Sequence, residues 1–164
     1  MHSHTVVHNL PYRPDDLFEM VGDVARYPEF VPWITTMRVR NARQEGEGVS
    51  LVDAEAGVGF SFLKERFGTR VRRDPAAREI KVDLLHGPFR KLANRWTFEP
   101  EPAGTKITFE IDFEFKSRIL DALLAANFNR AVDKLIACFE ARAADKYERI
   151  GASAPPPAAA PAPS

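Results

Sequence analysis

Histidine is the residue type in this chain best suited to binding a metal, and most of its histidines lie close together near the N-terminus. They are His2, His4 and His8. An imidazole nitrogen is a common zinc ligand, but a closed site needs further ligands, and no cysteine or acidic side chain is spaced with these histidines. The sequence therefore predicts no metal site.

Cys138, the only cysteine, is the second side chain that could carry out chemistry. It falls inside an apolar helical pattern, where a cysteine is more often a small buried residue than a reactive thiol. The sequence also lacks the G-x-S-x-G, Walker and dinucleotide-binding motifs. We therefore predict no catalytic residue and no enzymatic activity. A single cysteine cannot form an intramolecular disulfide, which favours a reducing compartment.

Aromatic side chains are more numerous than a minimal core requires, with 12 phenylalanines and 2 tryptophans. Those on predicted strands, with apolar residues of the last helix, could line an apolar pocket. The same side chains could instead fill the interior completely, and the pattern leaves both interpretations open. The residues concerned are Phe60, Phe62, Phe109, Phe113, Phe115, Leu120, Leu124 and Phe128.

The stretch YPEFVPW, residues 27–33, predicts a rigid aromatic corner. Pro28 and Pro32 each fix their own backbone and restrict the preceding residue, so the chain between them can make about one helical turn. Phe30 and Trp33 are then held in fixed directions, either as a plug of the core or as the lip of a pocket.

The turn HGPF, residues 86–89, also admits two interpretations. Gly87 and Pro88 supply turn geometry, and Phe89 supplies an apolar side chain next to Arg90 and Lys91. The segment is either an ordinary hairpin or an apolar tip that gates a pocket or touches a membrane.

Composition limits the classes of protein to consider. The chain has 164 residues with 23 basic and 23 acidic side chains, enough for one sizeable core and no net field that would concentrate nucleic acid. We expect no DNA binding, and we interpret the basic runs at 38–43 and 70–73 as solvated strand ends. Without a signal peptide or a spanning segment, the expected location is cytoplasmic, with any contact at the inner membrane peripheral.

Hydrophobic periodicity predicts an α+β fold. A strand at 4–10 is followed by two short helices, the first starting at Pro14, and by strands near 34–43, 48–57, 60–73, 79–85, 91–99 and 105–115. A helix of roughly 30 residues then runs from a Ser117 N-cap to about Arg149. A curved antiparallel sheet of about seven strands gripping the last helix buries both apolar faces most economically. We expect one domain over 1–150 and a disordered Pro/Ala-rich tail over 151–164.

Three segments resemble a known family. They are DVARYPEFVPW at 23–33, GPFRKLANRWTFEP at 87–100 and NFNRAVDKLIACFEARAADKY at 127–147. They are similar to the coenzyme Q-binding branch of the START-like superfamily, which also includes the ribosome-association toxin A proteins and, more distantly, polyketide cyclases. The resemblance covers nearly all of the predicted folded chain.

This resemblance implies a helix-grip (START or Bet v 1-like) domain that holds ubiquinone or a similar polyprenyl lipid in an apolar cavity. It implies support of respiratory electron transport as a carrier or chaperone, with ubiquinone as a bound ligand and no catalytic cofactor. It also adds to the expected ligand-binding residues the corner, the HGPF turn and the strands on either side of that turn, namely Phe30, Trp33, Leu84, Phe89, Leu92 and Trp96.

Two alternatives follow from the same superfamily. A toxin-like protein that binds the large ribosomal subunit would need a contiguous basic face. A polyketide cyclase-like enzyme would need polar or titratable residues pointing inward, whereas the inward positions of the strand 105–115 are apolar.

Overall fold

A computed structural model of the chain describes residues 2–60 and 63–150, apart from the side chains of Phe60 and Leu63. The predicted ligand contacts of Phe60 and Phe62, and the predicted tail at 151–164, lie outside this described part. The element order within it is strand, two short helices, six strands and a long helix, as predicted.

Seven strands form one antiparallel sheet, which confirms the predicted fold class. Their spatial order is β1-β7-β6-β5-β4-β3-β2, so only β1 and β2 lie at edges. The strands are β1 His2–Leu10, β2 Ile34–Gln44, β3 Ser50–Phe60, β4 Leu63–Asp74, β5 Glu79–His86, β6 Phe89–Glu101 and β7 Gly104–Phe115. Side chains alternate between an outer face, exposed to solvent, and an inner face, which packs on the helices.

The first helical region contains helix α1, Pro14–Gly22, and a 3₁₀ helix, Val24–Glu29. Pro14 suits the first position of α1 because an N–H at that position would have no partner within the helix. Asp15 and Asp16 interact favourably with the positive end of the helix dipole. Arg73 fastens this region to the sheet, donating to the Gly22 carbonyl at 3.1 Å.

The long helix α2 spans Arg118–Lys146, 29 residues. The predicted N-cap is confirmed, because the Ser117 hydroxyl accepts a hydrogen bond from the Leu120 amide at 3.3 Å. The helix ends at Lys146, a little before the predicted end near 149.

The core consists of two clusters on the inner face. The first core cluster surrounds Trp96, Phe98, Phe109 and Phe139, beneath α1 and the C-terminal half of α2. The second core cluster is formed by Phe89, Leu92, Phe113, Phe115, Phe128, Val132 and Ile136, towards the other end of the sheet.

The apolar stripe predicted along α2 separates into two parts. Phe128 and Phe139 are buried, but Leu120, Leu124 and Ala131 are only partly buried. The N-terminal half of α2 therefore carries apolar side chains that the sheet does not fully cover.

Candidate functional site

A cavity of about 410 Å³ lies between the N-terminal half of α2 and the inner face of the sheet. Sites for small molecules typically measure about 300 to 1,000 Å³, so the cavity is of ordinary ligand-binding size. Its lining is mostly apolar and consists of Trp33, Val58, Glu65, Phe67, Phe89, Phe115, Leu120, Leu123, Leu124, Asn127, Arg130, Ala131 and Lys134.

Three phenylalanines from different strands form an aromatic wall of this cavity. Phe89 stacks on Phe115 with ring centroids 4.4 Å apart, and Phe67 meets Phe89 edge-on at 5.3 Å. Offset stacks and edge contacts of this kind are the favoured geometries of aromatic pairs. The wall presents flat apolar surface that suits a ring-bearing ligand.

The HGPF turn orients Phe89 towards this wall. Gly87 has φ of +146°, and a Cβ at this position would come within 2.5 Å of the Phe67 Cβ. Only glycine fits there without displacing its neighbours. Phe89 is 8% exposed, so the turn is a hairpin that directs its aromatic residue inward, and the interpretation as an apolar membrane-touching tip is wrong.

Helix α2 forms the opposite wall with side chains spaced three or four residues apart. Leu120, Leu124 and Ala131 supply the apolar part, and Leu123, 38% exposed, lies where the cavity opens to solvent. The exposed Arg130 and Lys134 bring positive charge to the same opening. A ligand with an apolar body can therefore lie inside and leave a polar or extended end at the opening.

The segment YPEFVPW acts both as a plug of the core and as a lip of the cavity. The Val31 amide donates to the Tyr27 carbonyl at 2.8 Å, which closes one helical turn, and Val31 is 0% exposed. Phe30 packs edge-on against Phe139 at 5.4 Å in the core. Trp33, after the second proline, lines the cavity.

Tyr27 stabilises this corner from within. Its hydroxyl donates to the Val21 carbonyl, and burial, with the nearby Asp23 carboxylate, raises the pKa of Tyr27 far above its usual range. The phenol therefore stays neutral and acts as a structural hydrogen-bond donor.

The predicted ligand-binding residues fall into two groups. The cavity brings together Trp33, Phe89, Phe115, Leu120 and Leu124. The others with described side chains belong to or pack against the core clusters: Phe30, Trp96 and Phe109 in the first, and Leu84, Leu92, Phe113 and Phe128 in the second.

Sequence reasoning overlooked several lining residues, notably Val58, Phe67 and Leu123. Alternation along β3 and β4 places Val58 and Phe67 on the inner face, so the signal was present in the strand pattern. Leu123 carries no such signal, because it lies on the edge of the helical stripe.

Two of the three N-terminal histidines, His2 and His4, make contacts within the folded domain. His2 contacts Asp121 of α2 at 2.7 Å, and His4 stacks on Phe128 with centroids 3.8 Å apart and planes 14° apart. The hydrogen bond from the Phe115 amide and the contact with His2 hold the pKa of Asp121 below its usual range. Among residues 2–60 and 63–150, no group of three or more potential ligands could hold a metal ion.

Arginines on the outer face are largely compensated by carboxylates. Arg72 contacts Glu45 at 2.7 Å, and Asp53 receives Arg43 and Arg70. The hydrogen bond from Asn41, and then these two arginines, keep the pKa of Asp53 low. This side of the sheet therefore alternates in charge and does not form a contiguous basic surface.

The fold and cavity define a helix-grip protein, and comparison with known sequences gives its family. A family model described as "Polyketide cyclase / dehydrase and lipid transport" matches residues 10–140, so the chain belongs to that family. No helix within the described part is both long and apolar enough to cross a membrane.

Curated relatives carry two kinds of name. The chain is 34% identical over 137 residues to a Ribosome association toxin RatA of Rickettsia prowazekii, covering 82% of this chain and 90% of the relative. It is 32% identical over 112 residues to a mitochondrial coenzyme Q-binding protein of Schizosaccharomyces pombe, covering 67% of each.

Solved structures confirm the fold. The solution structure of an 18 kDa protein from Caulobacter crescentus is 63% identical, with a TM-score of 0.77 and coverage of 88% of this chain and 97% of that one. A START superfamily protein from Mycobacterium smegmatis is 20% identical, with a TM-score of 0.75 and coverage of 88% and 99%, and shows likeness of fold alone.

Proposed function

We propose that this protein binds ubiquinone or a similar polyprenyl lipid in the cavity between α2 and the sheet. The observation that carries the proposal is the wall of Phe67, Phe89 and Phe115 facing the leucines of α2. A flat ring packs on the aromatic side, and an isoprenoid chain packs on the aliphatic side. The similarity to a protein named as coenzyme Q-binding supports the same ligand class.

A long polyprenyl ligand suits an open cavity better than a closed one. A space of about 410 Å³ accommodates a ring with a short length of chain. A longer polyprenyl chain would continue through the opening beside Leu123 and Arg130. Because that opening is both apolar and basic, we propose peripheral contact with a membrane during loading.

The proposed role is that of a non-catalytic carrier or chaperone in respiratory electron transport. Among the described residues that line the cavity, none forms a nucleophile–base pair or a carboxylate pair, and the acidic one, Glu65, lies among apolar and basic neighbours. The family description includes cyclases and dehydrases, and an enzymatic function would use the polar residues of the lining, Glu65, Asn127, Arg130 and Lys134.

The test has two parts. Lipid extracted from protein purified from its own cells should contain a polyprenyl quinone when examined by mass spectrometry. Protein stripped of its lipid should then bind decylubiquinone. The quenching of tryptophan fluorescence measures this binding, because Trp33 lines the cavity. Absence of both co-purified quinone and titratable quenching would contradict the proposal.

Ribosome association is a second candidate, favoured by the 34% identity to a relative with that name. The paired arginines of the outer face argue for a small contact rather than broad binding to RNA. Sedimentation with purified large subunits discriminates the two functions. Binding that persists unchanged after quinone saturation would place the ribosome contact on another surface.

A further inference from the structure

A row of paired residues crosses the inner face through the middle of four strands. His4 of β1 pairs with Ile111 of β7, Ile111 pairs with Asn94 of β6, and Asn94 pairs with Val82 of β5. All four side chains lie on the same face because paired residues of an antiparallel sheet project together. All four are partly exposed.

The exposure of Ile111 and Asn94 is unusual because their neighbours along the inner face are buried. Ile111 lies between Phe109 and Phe113, which are 5% and 1% exposed. Asn94 likewise lies between Leu92 and Trp96, which are 9% and 6% exposed. An inner-face side chain between buried neighbours is exposed where the packing over it is incomplete. Because Ile111 packs against both core clusters and is still partly exposed, the row marks a small packing gap between the two clusters.

Asn94 is the residue of this row that needs a partner. Its Oδ1 atom is shielded from solvent and has no hydrogen-bond partner among the described residues. An unsatisfied buried acceptor is costly, and the large majority of buried side-chain polar atoms in proteins have a hydrogen-bond partner. An amide at this position destabilises the fold compared with an apolar residue, unless something else occupies the gap and bonds to it.

Partly buried side chains lie between the cavity and this gap. Phe67 lines the cavity, and Leu84 packs, partly buried, against the same second core cluster. Val82 follows on the inner face of β5, directly beside Asn94. At the far side, the ring of His4 stacks on Phe128 and closes the row at the edge strand.

We propose that Asn94 is the polar anchor of the ligand site, with its carboxamide hydrogen-bonded to a carbonyl or hydroxyl on the ring of a bound apolar molecule. A hydroxyl of a reduced ring can donate to the unpaired Oδ1, and a carbonyl of an oxidised ring can accept from Nδ2 once the amide turns over and exchanges its two atoms. The ring would reach past Leu84 into the gap, and the chain would lie in the larger cavity. This inference rests on the proposed function and adds a specificity-determining residue to it.

The experiment compares two probes that share a decyl tail, decylubiquinone and decylbenzene, of which decylbenzene lacks the ring carbonyl, methoxy and methyl groups. In the wild-type protein the ring oxygens favour decylubiquinone. Asn94→Leu keeps the side-chain size and removes the hydrogen bond. It should weaken decylubiquinone about fivefold to tenfold and leave decylbenzene unchanged or tighter, because one hydrogen bond contributes about that much.

Thr69→Val is the matched control. Thr69 is another inner-face polar residue, 7% exposed, but its hydroxyl already donates to the Ala54 carbonyl at 3.4 Å. Its replacement should leave the ratio of the two affinities unchanged. In addition, the side-chain amide signals of Asn94 in a ¹H–¹⁵N spectrum of the wild-type protein should shift with decylubiquinone and much less with decylbenzene, a readout that needs no variant to fold.

The outcomes distinguish the role of Asn94 as the anchor from the proposed function itself. If both probes bind and Asn94→Leu leaves their ratio unchanged, or weakens both equally, Asn94 is not the anchor and the proposed function stands. Equal amide shifts with the two probes overturn the anchor in the same way. If neither probe binds the wild-type protein, the proposed function fails and the anchor fails with it.

Discussion

At the scale of single residues, Phe113 and Leu124 differ in burial, although the apolar patterns of β7 and α2 predict that both side chains face the interior. Phe113 is 1% exposed within the second core cluster, whereas Leu124 lines the cavity. Phe113→Ser should cost roughly 3 to 5 kcal/mol of unfolding free energy because it empties a close-packed site. Leu124→Ser should cost about 1 kcal/mol and weaken quinone binding on the order of tenfold, since a cavity wall loses ligand contact rather than core packing.

Urea unfolding and decylubiquinone titration measure the two quantities on the same variants. Leu17→Ser is the control, because Leu17 is 0% exposed on α1 and does not line the cavity. It should lose stability and leave the affinity of the remaining folded protein intact. A Leu124→Ser protein with unchanged affinity would exclude Leu124 from the ligand site.

Asp121 gives a prediction about pH. Its pKa is lowered in the folded protein, first by the Phe115 amide and then by His2, so its charged form stabilises the fold. That contribution is complete above the unfolded pKa of about 3.9 and is lost as the pH falls through the lower, folded value. Asp121→Asn should therefore lower the thermal midpoint at pH 7 and flatten its decline between about pH 4 and pH 2.

Asp133→Asn serves as the comparison, since it removes an exposed carboxylate from the same helix. It should retain the wild-type acid dependence. If the thermal midpoints of the wild-type protein and Asp121→Asn fell in parallel with decreasing pH, the contact between β1 and α2 would not contribute to stability.

At the scale of elements, the β5–β6 hairpin positions the aromatic wall of the cavity. Gly87→Ala would force an alanine into positive φ and its Cβ against Phe67, so it should cost roughly 2 to 4 kcal/mol and displace Phe89. Gly46→Ala isolates the contribution of backbone strain, because Gly46 has φ of +74° with no atom within 4 Å of the added Cβ. It should cost about 1 kcal/mol and spare ligand binding. Equal losses of unfolding free energy in the two variants would mean that the structure accommodates the added Cβ beside Phe67 at no further cost.

At the scale of the whole molecule, the grip of the sheet on α2 is uneven, and this unevenness creates the cavity. The C-terminal half of α2 packs on the first core cluster through Phe139, while its N-terminal half presents Leu120 and Leu124 to open space. Ligand binding should therefore stabilise the N-terminal half most. We expect the amide protons of this half to exchange more slowly in the presence of quinone.

Removal of residues 151–164 belongs to the same scale. The segment has no charged residue and no large apolar side chain, so it has little to contribute to packing or pairing. The truncated protein should keep the thermal midpoint and the quinone affinity of the full chain. A midpoint lower by many degrees would show that the segment docks on the domain.

The sequence by itself determined the elements and their order. Alternation in TKITFEIDFEF specifies β7 because a strand's side chains project to opposite faces, and the Ser117 cap with its helical stripe specifies α2. These signals are local. The burial of both apolar faces then favoured a sheet that grips the last helix, and the resemblance of three segments to a family indicated the same arrangement. The five cavity residues among those predicted were within reach of the same reasoning.

Only the tertiary structure decided which apolar side chains fill the core and which face space. Phe113 and Phe115 are equivalent in the strand pattern, yet only Phe115 lines the cavity, because His4 and Phe128 of α2 stack on Phe113 and cover it. Asn94 was invisible in the sequence for a related reason. A strand pattern assigns it to the inner face, but its unpaired oxygen and the gap around it arise from strand register and helix placement, which no local periodicity encodes.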